Sequence, residues 1–166
     1  MKIILINGQG GTGKSSIANA LKDSLTNSVY IDADALVAVN PFKFNELDEL
    51  MLKNAVSLIS NFTAEGYQYI IAAGLTRNQE LLNQFLRLLD KEVDLLFIWL
   101  RASKEVRASR KAQRMRDKAD NLEHCEFVDK LYPDIARFDI QNGVYLEIDT
   151  SSKSVEEVAR EIKSER

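Results

Sequence analysis

The fold class this sequence predicts is α/β, with an open sheet of parallel strands and helices on both faces. Short apolar runs alternate along the chain with longer stretches of helical periodicity. Several of those runs are apolar at nearly every position, as in strands covered on both sides. A glycine-rich turn stands between the first run and the first helical stretch. Right-handed crossovers place such turns at the carboxyl ends of the strands, where open α/β sheets bind ligands.

The first strand is expected at residues 2–7 and the first helix at residues 14–25. Between them, Gly8-Gln9-Gly10-Gly11-Thr12-Gly13-Lys14-Ser15 fits G-x-x-x-x-G-K-[ST] at each fixed position. Glycines let the backbone curl with its N–H groups pointing inward around a phosphate, and the helix that follows points its positive end the same way. Lys14 can reach the β and γ oxygens of a nucleotide, and the Ser15 hydroxyl can bind Mg²⁺. Gly8, Gly10, Gly11, Thr12, Gly13, Lys14, Ser15 and Ser16 are therefore the expected nucleotide-binding residues.

The second strand, expected at 28–31, leads into Asp32-Ala33-Asp34. Carboxylates two residues apart point the same way if strand geometry continues. Asp32 could then assist Mg²⁺ through water, and Asp34 could orient an acceptor hydroxyl and take its proton. Asp also favours turns and helix caps, so that reading stays open. A helix is expected over 45–65 and a third strand over 68–73. Gly74 follows and allows close backbone approach, and Arg77 could grip an anionic group bidentately or stand as a surface residue.

After a helix at 79–90 comes the fourth strand, 94–100, and a helix over 103–118 with Ser103 as its expected cap. Arg107, Arg110 and Arg114 recur at i, i+3 and i+7 and share one helix face. Such a stripe is either a solvated face or a set of cations that offset charge on a transferring phosphoryl group, with Arg110 and Arg114 closing over it. The fifth strand, 144–148, ends at Asp149 and Thr150, which either border a nucleobase or form a turn. Ser154-x-x-Glu157 reads as a capping box opening the last helix, 154–163.

Composition narrows the function. The chain has 166 residues, a net charge of −3, 45% apolar and 28% charged residues, which suits one globular domain. The charge offers no broad attraction for nucleic acid or anionic membrane. The apolar start is too short for a signal-peptide core, and no apolar run is long enough to span a membrane. A single cysteine, Cys125, forms no intrachain disulfide and fits a reducing, cytoplasmic setting. Cys125 and the lone His124 lack partners for a zinc site, and no nucleophile elbow accompanies the histidine. Trp99 reads as core.

These motifs resemble the P-loop small-molecule and nucleoside-monophosphate kinases over nearly the whole chain. Residues 4–8, Lys14-Ser15-Ser16-Ile17-Ala18 and Asp34-Ala35-Leu36 look like chloramphenicol phosphotransferase. Asp32-x-Asp34 is shared with shikimate kinases, and Gly74-x-x-Arg77 with a nearby Gln79 is similar to adenylate kinases. The resemblance implies a three-layer P-loop NTPase fold with strand order 2-3-1-4-5, a single domain over 1–166 with a lid around 107–132, and ATP with Mg²⁺. It also implies an acceptor pocket lined by residues 37–52. The expected activity is transfer of the γ-phosphoryl group to a small-molecule or nucleotide acceptor by a monomer or homodimer without nucleic acid. A GTPase is disfavoured by the lack of N-K-x-D, and a motor ATPase by the lack of an acid where the fourth strand ends at Leu100-Arg101. A regulatory NTPase or a polynucleotide end kinase stands as the alternative, the latter kept open by the arginine stripe.

Overall fold

A computed structural model of the chain describes residues 1–40, 47–89, 92–113, 129–130, 132 and 137–165. The elements run β1 (Lys2–Gly8), α1 (Lys14–Ser24), β2 (Ser28–Asp32), a 3₁₀ turn (Ala33–Ala35), α2 (Asp48–Ala64) and β3 (Tyr69–Ala73). They continue with α3 (Gln79–Leu89), β4 (Asp94–Arg101), α4 (Lys104–Gln113), β5 (Gly143–Asp149) and α5 (Val155–Ser164). The strands form one sheet in the order β2-β3-β1-β4-β5, and every pair is parallel. This is the expected order, and the expected strand ends hold to within a residue. The parts of the expected helices at residues 45–46, 90 and 114–118 lie outside the described residues, as do Arg114, His124, Cys125, residues 41–46 of the expected acceptor pocket and most of the expected lid.

Two apolar layers follow from the two-residue alternation of the central strands. Ile3, Leu5, Ala72, Phe97 and Trp99 face one way and pack on Leu52, Ala55 and Ile59 of α2 and Leu82 and Phe85 of α3. Ile4, Ile6, Ile71, Leu96 and Ile98 face the other way, onto Ile17 and Leu21 of α1 and Val158 and Ile162 of α5. Both faces are covered, which is why β1 and β4 read as unbroken apolar runs. Parallel strands also gather their carboxyl ends on one edge. Gly8, Asp32, Ala73, Arg101 and Asp149 end the five strands there.

The capping box at the start of α5 is fully formed. Ser154 Oγ accepts from Glu157 N at 3.1 Å, and the Glu157 carboxylate accepts from Ser154 N at 2.7 Å. It fixes the angle at which the chain leaves β5 beside the phosphate loop.

Phe85 is fully buried between α3 and the sheet. Phe85→Ala should cost about 3–5 kcal/mol of unfolding free energy, and Ser154→Ala about 1 kcal/mol. Urea denaturation of both variants checks the order; a larger loss at the cap than in the core would contradict this packing.

Candidate functional site

β1 ends in the loop from Gly8 to Gly13, and the glycines there are required by space as well as by dihedral angle. Gly8, Gly11 and Gly13 have φ of 138°, 87° and 98°. A Cβ on Gly11 would stand 2.8 Å from the Arg107 carbonyl oxygen, because α4 lies directly on the loop. A Cβ on Gly8 would meet the Leu100 carbonyl of the neighbouring strand.

Gly13 caps α1 without a side chain. The first turn of α1 also carries no acid, whereas α2, α3, α4 and α5 each have one or two there. The positive end of α1 is thus left facing the loop without a side-chain anion. Lys14 is half-buried rather than extended into solvent. Its Nζ donates to the Gly8 and Gln9 carbonyls at 2.8 and 3.2 Å and lies 5.5 Å from the Tyr132 ring centre.

On the β5 side of the loop, Thr150 is a buried hub. Its hydroxyl shares one proton between the Thr12 and Arg101 carbonyls, each at 3.0 Å, and accepts from Arg110 Nη1 at 3.0 Å. Arg110 Nη2 donates to the Thr150 carbonyl at 2.7 Å. These groups border a cavity of about 370 Å³ whose wall includes Thr12, Ser16, Ile17, Arg110, Lys153 and Val155. Asp149 turns away from it. Its carboxylate accepts from Ser151 N at 2.8 Å, the turn-forming role, and it borders a separate cavity of about 430 Å³ beside Arg101 and Lys104. The structure therefore parts the two residues that the sequence grouped.

On the β2–β3 side, strand geometry stops at Asp32 and the chain bends into the 3₁₀ turn. Asp32 caps that turn, accepting from Asp34 N at 3.1 Å, so the two carboxylates are not successive positions on one strand. Asp32 also accepts from Tyr30 Oη at 2.8 Å, and the Ser15 hydroxyl hydrogen-bonds the same phenol. Burial, followed by the Asp32 contact, pushes the Tyr30 hydroxyl up to about 12 and keeps it a proton donor. Gly74, at φ 80°, has its Cβ direction 3.6 Å from Ala33 Cβ and 4.0 Å from Lys14 Cε. Arg77 grips an anion as expected, but an internal one: Nη1 and Nη2 meet the two oxygens of Asp48 at 2.6 and 2.5 Å.

The described part of the arginine stripe, Arg107 and Arg110, is not a solvated face. Arg107 is 7% exposed, and its Nη1 donates to Asp129 at 2.8 Å. Lys111 Nζ donates to the same carboxylate oxygen at 2.9 Å, and the other oxygen accepts from Gly10 N at 3.3 Å. Burial acts to raise the Asp129 carboxyl, but the bonds from Lys111 and Arg107 outweigh it and hold it below the usual carboxylate range. Gln9 Nε2 donates to the Tyr132 carbonyl at 2.9 Å. Sequence reasoning passed over Tyr30, Asp48, Asp129 and Tyr132, whose partners lie far along the chain and leave no local pattern.

The model of the chloramphenicol phosphotransferase-like proteins matches residues 1–166. The chain belongs to this family. Membership makes it a phosphotransferase. The fold is shared with the APS kinase of Mycobacterium tuberculosis, solved with AMPPNP and APS, at 19% identity and a TM-score of 0.70 over 98% of this chain and 95% of that one. A gluconokinase from Sinorhizobium meliloti 1021 matches at 15% identity and 0.66 over 98% and 90%. The tunicamycin resistance protein of Deinococcus radiodurans matches at 17% and 0.63 over 99% and 94%. Comparison with curated protein sequences gives no match. Among the described residues of this family member, no helix is long and apolar enough to cross a membrane.

Asp129 supplies a pH test of the contacts over the loop. A carboxyl whose folded pKa lies below its unfolded value stabilises the fold above the unfolded value and loses that contribution as pH falls through the folded one. Asp129→Asn should therefore cost about 1–2 kcal/mol at neutral pH. The gap to wild type should close below about pH 4. Urea denaturation at both pH values reads this, and a gap that persists in acid would show that the loss is steric.

Proposed function

We propose that the chain is an ATP-dependent kinase that moves the γ-phosphoryl group onto a small-molecule hydroxyl, as one domain over 1–166 with a lid around 107–132. The observation that supports this reading most is the position of Lys14. Its Nζ is held by the Gly8 carbonyl and its Cε lies 4.0 Å from the Cβ direction of Gly74 after β3, while Gly13 and Ser16 beside it line the cavity on the β5 side. A phosphoryl donor on one side and an acceptor on the other meet there.

The nucleoside end of ATP enters the cavity beside Arg110, Lys153 and Val155. Loop amides from Gly10 to Ser16 hold the β-phosphate, helped by the open positive end of α1. Lys14 exchanges the Gly8 and Gln9 carbonyls for the β and γ oxygens. Ser15 and Asp32, tied together through Tyr30, offer the hard oxygen donors that Mg²⁺ prefers. Among the described residues no group of three acids, histidines or cysteines could hold a metal, so its other ligands would be phosphate and water, as suits this ion. When bound, Mg²⁺ would offset negative charge on the phosphates during transfer.

Asp34, exposed just past β2, orients the acceptor hydroxyl and accepts its proton. Arg110, on α4, offsets charge on the transferring group, a role shared by Arg114. Exclusion of water by the lid favours the acceptor over hydrolysis.

Lys14→Ala should lower transfer by about 2–4 kcal/mol in transition-state stabilisation, roughly 30- to 1000-fold in rate. Asp34→Asn should leave AMPPNP affinity within about twofold while lowering kcat by about 100-fold or more. The assay is mass spectrometry of a metabolite mixture for ATP-dependent gain of one phosphate, followed by kinetics on the product found. Equal rates in Lys14→Ala and wild type would remove the phosphate-loop assignment. Normal transfer by Asp34→Asn would return Asp34 to a role in the turn alone.

A further inference from the structure

Arg77 stands where an anionic acceptor would be gripped, yet its fork is taken. The two terminal nitrogens face the two oxygens of Asp48, and both side chains are largely sheltered, at 13% and 23% exposure. Asp48 opens α2, so its position is set by the helix. The pair lies on the acceptor side of the phosphate loop. The Tyr132 ring sits over Lys14 Nζ, and the Tyr132 hydroxyl is within electrostatic reach of Arg77, Asp34 and Asp48 together. At that point two carboxylates and two cations meet, and both cations are engaged, Arg77 by Asp48 and Lys14 by the loop carbonyls. An incoming phosphate or carboxylate would have to displace Asp48 and then remain beside it and Asp34. Like charges brought together in this way are strongly disfavoured.

We propose that Asp48 is a specificity residue: by closing the Arg77 fork it turns the acceptor side against anionic compounds and fits it to uncharged or cationic hydroxyl acceptors. This rests on the kinase reading and narrows its acceptor class. A nucleoside monophosphate is thereby disfavoured, although Gly74-x-x-Arg77 by itself suits one. Asp48 acts by occupying Arg77, and no proton passes through it.

The probe is orthophosphate, followed by ³¹P line broadening at low ionic strength, on protein first saturated with Mg·AMPPNP. The nucleotide should displace orthophosphate from the unloaded wild-type loop and leave loaded wild type silent. Loaded Asp48→Asn should bind orthophosphate at least about tenfold more tightly than loaded wild type. The gain should vanish in Asp48→Asn/Arg77→Ala. Asp48→Ser serves in the same role if the asparagine protein does not fold. Arg77-dependent broadening in loaded wild type overturns the proposal, as does an Asp48 variant that binds no better than wild type. Orthophosphate on the unloaded protein that Mg·AMPPNP cannot displace contradicts the nucleotide reading itself, and the proposal with it.

Discussion

The close approach of α4 to the phosphate loop is the constraint on which the site depends. Backbone meets backbone at Gly11 and Arg107, with no room for a Cβ between them. That contact requires glycine at position 11 and buries Arg107. It also brings Arg110 within reach of Gly11 O at 3.4 Å and of Thr150. Thr150 in turn binds the Thr12 and Arg101 carbonyls, so one hydroxyl links the phosphate loop, the end of β4 and the start of the α5 approach. Because several elements share these few bonds, the loop is held in shape before any ligand arrives. Such preorganisation makes electrostatic stabilisation effective in phosphoryl transfer.

The cations around the loop all have partners within the chain. Lys14 is satisfied by loop carbonyls, Arg77 by Asp48, and Arg107 and Lys111 by Asp129. Arg107 Nε alone among these groups is buried without a hydrogen-bond partner among the described residues. Under the proposed reading, nucleotide binding is an exchange of partners in which internal oxygens give way to phosphate oxygens, so leaving isolated buried charge is never required. Asp129 and Asp48 differ in what that exchange demands. Asp129 lies over Gly10 N on the phosphate side. Asp48 lies on the proposed acceptor side, and under that proposal keeping its pair intact decides which acceptors fit.

Much of the fold was legible because periodicity and turn chemistry are local. The apolar runs of β1 and β4, the glycines before Lys14 and the Ser154–Glu157 box each lie within a few residues. The strand order came from resemblance, since local pattern does not report which strands pair. At the candidate site, local reasoning pointed to the loop, Asp32, Arg77, Arg110 and Thr150, which the fold gathers near the carboxyl ends of the strands. It grouped Asp149 with Thr150, but β5 ends at Asp149, whose carboxylate turns to Ser151 N, while the Thr150 hydroxyl turns to the Thr12 and Arg101 carbonyls. It had Asp32 and Asp34 pointing the same way if strand geometry continued past residue 31, whereas Asp32 caps a turn, the other use of that residue type that had stayed open. Asp48 and Arg77 stand 29 residues apart, and Gly10 and Asp129 stand 119 apart. No spacing rule reaches such pairs.

Calorimetric titration with Mg·AMPPNP, Mg·ADP and AMP tests the central claim most directly, because the proposed reading has the loop hold a β-phosphate. The account predicts that AMPPNP and ADP bind to the wild-type chain, that AMP binds at least about tenfold more weakly, and that Lys14→Ala narrows the difference. Equal binding of all three nucleotides, or binding of none, would contradict it.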